Sequence, residues 1–287
     1  MSSSTFQDSV ILITGAASGI GRQLAIQGAA RGASILATDI DTTGLRETKT
    51  LASQQGQVIE IQELDVADPE AIQSFAAQVI LGLSGRKLIL INNAGVGLFT
   101  GSFEHTSLEQ FEWLLSINLW GPIRMTKAFY PYLLQQNRGH IVNISSVFGL
   151  AGVANQSAYC TSKFGIRGFT ESLRMELAGT GIHTTTVHPG GIRTNIVRNA
   201  TPRGPVATAA MHQQSISNFE QAAQTTPEKA ARLILDAIAN KKERLVIGPD
   251  GRALDLVTRL FPVRYSRIVM KQIEKTFTNP YKDQSSQ

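Results

Sequence analysis

Three side chains in the middle of the chain have the types and spacing to move a proton: Ser146, Tyr159 and Lys163. Tyr159 and Lys163 stand four residues apart, which places them on one face of a helix. A tyrosine hydroxyl titrates near ~10 in isolation, and an ammonium held close stabilises its phenolate and lowers that value. A phenol tuned in this way passes a proton to or from an alcohol oxygen near neutral pH. Ser146, at the end of a strand-like run, would hold that oxygen by a hydrogen bond. Taken alone, the Tyr-x-x-x-Lys pair is also a common contact on the surface of a helix.

A second group lies near the N-terminus, where Thr14-Gly15-Ala16-Ala17-Ser18-Gly19-Ile20-Gly21 joins an apolar run to a helical pattern. Glycines at such a turn let the backbone approach a pyrophosphate, which the free N–H groups and dipole of the helix attract. Gly15, Ser18, Gly19, Ile20 and Gly21 are the candidate contacts. The same glycines also serve simply to pack a helix closely on a strand. Asp39 ends the second apolar run, where a carboxylate accepts from the adenosine ribose hydroxyls and repels a 2′-phosphate. No Arg or Lys stands at Ala16, Ala17, Ser18 or Ile40 to receive that phosphate. The predicted cofactor is therefore NAD in preference to NADP. Asp39 has a second possible use as a helix cap, for which Asp41 and Thr42 are better placed.

These residues need elements to hold them. Seven β-branched runs recur at Val10–Thr14, Ser34–Thr38, Val58–Leu64, Lys87–Asn92, His140–Ile144, His183–Val187 and Arg244–Gly248. Several are almost continuously apolar, as strands covered on both faces are. Between them lie helix-length segments such as Ile20–Arg31, Pro69–Gly82 and Tyr159–Ala178. The alternation predicts a doubly wound, Rossmann-type α/β fold. It has a mostly parallel seven-stranded sheet, helices on both faces and a C-terminal helical extension. One catalytic domain is expected over residues 1–250, with a basic, apolar extension over 251–287. Gly191–Thr226, rich in Pro, Gly and Thr with little apolar periodicity, reads as a long substrate loop.

Composition narrows the setting. The chain has 287 residues, 42% of them hydrophobic, with one Cys, so no disulfide scaffold is possible within it. No uncharged apolar run reaches the roughly 18 residues of a spanning helix, and the N-terminus lacks a signal-peptide pattern. A cytoplasmic location is expected. The net charge of +5 is concentrated after residue 250, so a nucleic-acid partner is not expected. No His spacing suits a metal, and no metal is predicted. Cys160 reads as a buried inert thiol and His188 as a residue that shapes its turn. Trp113 and Trp120 read as packing or interface residues.

Taken in order, the motifs resemble those of the short-chain dehydrogenase/reductase family, in its single-domain branch, over about residues 8–250. Thr14–Gly21 is similar to that family's cofactor turn, and Asp65-Val66 to the pair beside the adenine. Asn92-Asn93-Ala94-Gly95 is similar to the motif closing the fourth strand. Pro189-Gly190, with Ile192 and Thr194, is similar to the segment beside the nicotinamide. Asn118, Ser146, Tyr159 and Lys163 match the catalytic tetrad, with thirteen residues from Ser to Tyr. The resemblance implies that Asp65, Val66, Asn92, Ala94, Gly95, Tyr159, Lys163, Pro189, Ile192 and Thr194 join the cofactor site. It also implies hydride transfer between a nicotinamide cofactor and an alcohol or carbonyl, with Asn118 anchoring a water in a proton relay. The extension beyond Gly248 departs from the many members that end soon after the last strand.

The expected partners are a small, lipophilic alcohol or carbonyl and a second copy of the chain in a dimer or tetramer. The basic apolar tail could also touch a membrane surface, which would suit a lipid-alcohol dehydrogenase. A non-catalytic NAD-sensing regulator is the rival from another class, and it would be expected to lack the Tyr or the Lys. Pro262 predicts a helix break, with one short helix up to about Phe261 and a second after it.

Overall fold

The computed structural model describes residues 6–200 and 208–267. Its strands are β1 (Ser9–Thr14), β2 (Ser34–Asp39), β3 (Glu60–Glu63), β4 (Lys87–Asn92), β5 (Gly139–Ile144), β6 (Ile182–Pro189) and β7 (Arg244–Ile247). They form one sheet in the order β3-β2-β1-β4-β5-β6-β7, and every pairing is parallel. The predicted runs fall on these strands with shifts of one or two residues at the ends. The chain reverses direction across the sheet between β1 and β4, which leaves a crevice at their C-terminal ends, where this architecture binds ligands.

Helices α1 (Gly19–Ala30), α2 (Thr42–Gln54), α3 (Pro69–Leu83), α4 (Leu108–Leu115), α5 (Gly121–Gln136), α6 (Ser157–Glu176), α7 (Ala209–Ala222), α8 (Pro227–Ala239) and α9 (Pro249–Leu260) complete the order. Alternation along β1 decides the layers. Ile11 and Ile13 pack with Leu24, Ile35, Ile234 and Ile238 on the side of α1 and α8. Val10 and Leu12 pack with Phe75, Phe129, Leu133 and Leu173 on the side of α3, α5 and α6. Each helix start carries its own signal. Asp41 accepts from the Gly44 N–H at 2.9 Å to cap α2, Asp68 caps α3 ahead of Pro69, and Thr226 caps α8 ahead of Pro227. Asp39 is thereby released from a capping role.

Two buried histidines fix a pH limit on this fold. His140 on β5 bonds the Thr185 hydroxyl at 2.7 Å, and burial pushes its imidazole down to about 3. His188 on β6 is likewise buried, which holds it at about 4. Both are neutral in the folded chain, whereas the unfolded chain takes up protons below about 6.5. Stability is thus complete above that value and lost as pH falls towards 4, by about 1.4 kcal/mol per pH unit for each histidine. Thermal melts at about pH 7 and pH 5 should show a clear drop in Tm, and equal values would contradict it.

Candidate active site

The glycine turn is held from two sides. The Thr14 hydroxyl accepts from the backbone N–H groups of Asn93 and Ala94, both at 3.1 Å, and Asn93 Nδ2 donates to the carbonyls of Thr14 and Gly15 at 2.9 Å. Gly15 has a φ of +70°, and a Cβ there would lie 2.7 Å from the Ala94 Cα. A Cβ on Gly21 would lie 2.0 Å from the Gly15 carbonyl oxygen, so Gly21 is required by helix-on-turn packing. Ser18 begins α1 without a side-chain cap, unlike Asp41, Asp68 and Thr226 at α2, α3 and α8. The first N–H groups of a helix have no partner inside it, so this end is a donor set suited to a pyrophosphate. The residues present therefore fit a dinucleotide.

Asp39 closes the turn on its other flank. Its carboxylate accepts from the Ala17 N–H at 3.0 Å and from the Asp41 N–H at 3.1 Å. A carboxylate offers about four acceptor sites, so two backbone donors orient it and leave capacity for hydroxyl groups. Arg22, which the sequence reading passed over, sits beside this turn, but it bonds the Ala17 carbonyl, the Thr48 hydroxyl at 3.0 Å and Glu47 at 2.7 Å. Its charge is committed to joining α1 to α2.

On the other side of the crevice, Ser146, Tyr159 and Lys163 come together. Ser145 Oγ donates to the Lys163 carbonyl at 2.7 Å, so that serine is structural. Lys163 is buried, with Nζ donating to the Ile144 carbonyl at 3.1 Å. Burial pushes its ammonium down to about 8. Tyr159 packs edge-on against Phe148 with ring centres 6.0 Å apart, and Lys163 Nζ lies 5.5 Å from the centre of the Tyr159 ring. The expectation of a depressed tyrosine does not hold for the chain alone. Burial pushes Tyr159 up to about 12, and the hydrogen bond with Ser146 opposes this only in part. The reason is that desolvation penalises a phenolate and an ammonium alike.

The partners of these residues are non-local. His188 Nδ1 donates to the Ser146 carbonyl at 3.1 Å, so the residue does shape its turn. Asn118 is buried in a π-helical turn, Ser116–Trp120, between α4 and α5. Its side chain donates to the Val96 carbonyl at 2.9 Å and accepts from the Val96 N–H at 2.8 Å. These two bonds tie the amide to the strand-end loop and leave it one further N–H and one oxygen lone pair. Cys160 is buried, and burial raises its thiol, in keeping with an inert role. Trp120 stays half exposed, with Arg124 stacked on its ring at 5.8 Å.

Several other predicted cofactor residues are placed differently. Asn92 turns its side chain into the core, where Nδ2 donates to Asn143 at 2.7 Å and to Thr126 at 3.2 Å. Only its backbone reaches the crevice end of β4. Period-two alternation could have shown this, since Asn92 shares a face with Leu88 and Leu90. Ile192 is buried in the core beneath α8 and pairs with Thr225 in an isolated parallel bridge. Val66 is buried against Gly121, while Asp65 accepts from the Ala67 N–H at 2.8 Å at the mouth beyond β3. Gly95 lies against both Asn118 and Lys163, and Thr194 lies against Gly19. Pro189 ends β6 opposite Ile247.

The segment 191–226 contains α7, a correction to its reading as irregular loop. Thr208 caps α7 through the Met211 N–H at 3.2 Å, and Ile216 is its buried anchor. Too few apolar residues recur at helical spacing there for periodicity to reveal it. The extension begins with α9, which ends at Leu260 before Pro262 as predicted; the second predicted helix lies largely outside the described residues. Asp250 at the start of α9 accepts from the Gly191 N–H at 2.8 Å, and the Tyr265 hydroxyl accepts from the Gly152 N–H at 3.1 Å. Among the described residues no helix is long and apolar enough to cross a membrane, and no cluster of His, Cys, Asp and Glu could hold a metal.

Comparison with known proteins agrees with this geometry. A sequence model described as short chain dehydrogenase matches residues 9–204. A protein of Mycobacterium tuberculosis named as oxidoreductase SadH is 38% identical over 278 residues, covering 96% of this chain and 98% of its own. A short-chain dehydrogenase/reductase of Burkholderia phymatum, solved in complex with NAD, superposes with a TM-score of 0.81 at 26% identity, covering 89% of this chain and 94% of that one. A metagenomic short-chain oxidoreductase solved with NADP superposes with a TM-score of 0.68 at 26% identity, covering 85% of this chain and 98% of that one.

Proposed function

Since the chain belongs to the short-chain dehydrogenase/reductase family and is an NAD(P)-dependent oxidoreductase, we propose that it interconverts a lipophilic alcohol and its carbonyl with NAD as the preferred cofactor. One observation carries the reading: Ser146, Tyr159 and Lys163 meet at the C-terminal edge of the sheet, across the crevice from an uncapped α1 and the Asp39 carboxylate. A bound nicotinamide cofactor supplies the hydride acceptor or donor.

The chain's own residues supply position and protons. Ser18, Gly19 and the first N–H groups of α1 would hold the pyrophosphate, and Asp39 the adenosine ribose. Asp65 and Val66 would flank the adenine. The backbone of Asn92, Ala94, Gly95 and Ile192, together with Pro189 and Thr194, would line the nicotinamide half. Lys163 would hold the nearer ribose through Nζ. Ser146 Oγ holds the substrate oxygen. Tyr159 gives its proton to that oxygen as a carbonyl is reduced, for which burial keeps it a neutral phenol at physiological pH, and as the phenolate it takes the proton from the hydroxyl as an alcohol is oxidised. Asn118 supports the relay by fixing the Val96 backbone beside Lys163. A small cleft beside Tyr159 is lined by Leu98 and Ala158 and by the polar residues Thr100, Thr106, Asn155, Gln156 and Ser157.

The test is a panel of alcohols and ketones of rising chain length, assayed by nicotinamide absorbance with NAD(H) and NADP(H). Turnover should appear with NAD(H) and improve with chain length. Tight NAD binding without turnover across the panel would favour the NAD-sensing regulator instead.

A further inference from the structure

The face of α9 turned away from the body has no cover among the described residues. Its inner side is tied down: Gly251 packs against Val147 and Val246, and Asp255 pairs with Arg244 at 2.6 Å. On the opposite side Leu256 and Leu260 face outward, and Phe261 and Val263 follow in the turn beyond. Leu260 is 62% exposed and Val263 82%. Four large apolar side chains in eight residues are too close together to be scattered surface hydrophobics.

Charge decides what fits this patch. Residues 251–267 contain four arginines, Arg252, Arg259, Arg264 and Arg267, and a single acid, Asp255. That acid is already neutralised by Arg244 and by Arg259 at 3.1 Å. The patch therefore joins an outward apolar ridge to a basic margin. A second copy docked on the same face across a two-fold axis would bring arginines against arginines. An anionic bilayer surface meets both properties, since acyl chains receive the leucines and phosphate headgroups receive the guanidinium groups.

We infer, independently of the reaction, that Leu256, Leu260, Phe261 and Val263 with Arg252, Arg264 and Arg267 form a docking surface for anionic phospholipid membranes. The chain lies on the bilayer through this patch, and among the described residues no helix is long and apolar enough to cross it. The geometry places the contact beside the crevice, because Asp250 at the start of the same helix holds the Gly191 backbone.

Co-sedimentation of the full chain with vesicles tests this. The protein should pellet with an equal mixture of phosphatidylcholine and phosphatidylglycerol, stay in solution with phosphatidylcholine alone, and detach as salt is raised. Leu256→Ser with Leu260→Ser and Val263→Ser should lower the bound fraction at least tenfold, with an unchanged melting temperature because these side chains are exposed. Arg252→Gln, Arg264→Gln and Arg267→Gln together should weaken binding by about fivefold per charge. A protein that ignores anionic vesicles, or binds both kinds equally, overturns the inference. So does serine-substituted protein that still binds fully, or one whose only change is a smaller assembly in gel filtration, which would assign the face to a second copy.

Discussion

Replacing Tyr159 with Phe is expected to lower kcat by about 10²–10⁴-fold while leaving NAD affinity within about threefold. The substitution removes one oxygen and keeps the ring, so the edge-on contact with Phe148 survives and the crevice keeps its shape. What is lost is the hydroxyl whose proton would pass to or from the substrate oxygen. Lys163→Ala should instead lose both turnover and affinity, because its ammonium would serve the ribose as well as the phenol. The distinction is measured by stopped-flow turnover beside NADH fluorescence titration. A Tyr159→Phe protein with near-normal kcat would remove Tyr159 from the reaction. The pH profile adds a check on the sign. Burial holds Tyr159 well above the free-tyrosine value, so alcohol oxidation should rise with pH across the whole neutral range, and carbonyl reduction should not.

Cofactor choice should respond nearly as strongly to the end of β2. Wild-type protein should favour NAD over NADP by about 10²-fold or more in kcat/KM, since a 2′-phosphate would face the Asp39 carboxylate. Asp39→Asn keeps an acceptor for the Ala17 N–H at 3.0 Å, removes the charge and gives up the bond from the Asp41 N–H, so it should narrow the ratio at the cost of one contact in the turn. Ile40 is 64% exposed and leaves room for a longer side chain. Asp39→Asn combined with Ile40→Arg should therefore bring the two cofactors level or reverse them. If wild-type protein already prefers NADP, the adenosine ribose does not lie against Asp39.

Much of this protein follows from local physics and so was legible in the chain. Strand length, β-branching and the turns between runs determined seven parallel strands. The glycine turn, the acid ending β2 and the Asp41 cap each rest on neighbours within a few residues. Pro262 ends α9 for the same reason, because its ring cannot continue the helix. The spacing of Tyr159 and Lys163 likewise needed only the helical repeat.

What the tertiary structure decided is where solvent is excluded and which distant backbone each polar group finds. Asn118 bonds Val96 across 22 residues, Ser146 is held by His188 across 42, and Asp250 reaches Gly191 across 59. Such pairs depend on how the sheet brings its C-terminal ends together, and no short window of sequence contains them. The same holds for Tyr159 and Lys163, whose titration is set by burial under α4 and the loops after β4 and β5. Spacing could put the two groups on one face, but only packing could remove the water that would otherwise keep both near their ordinary values.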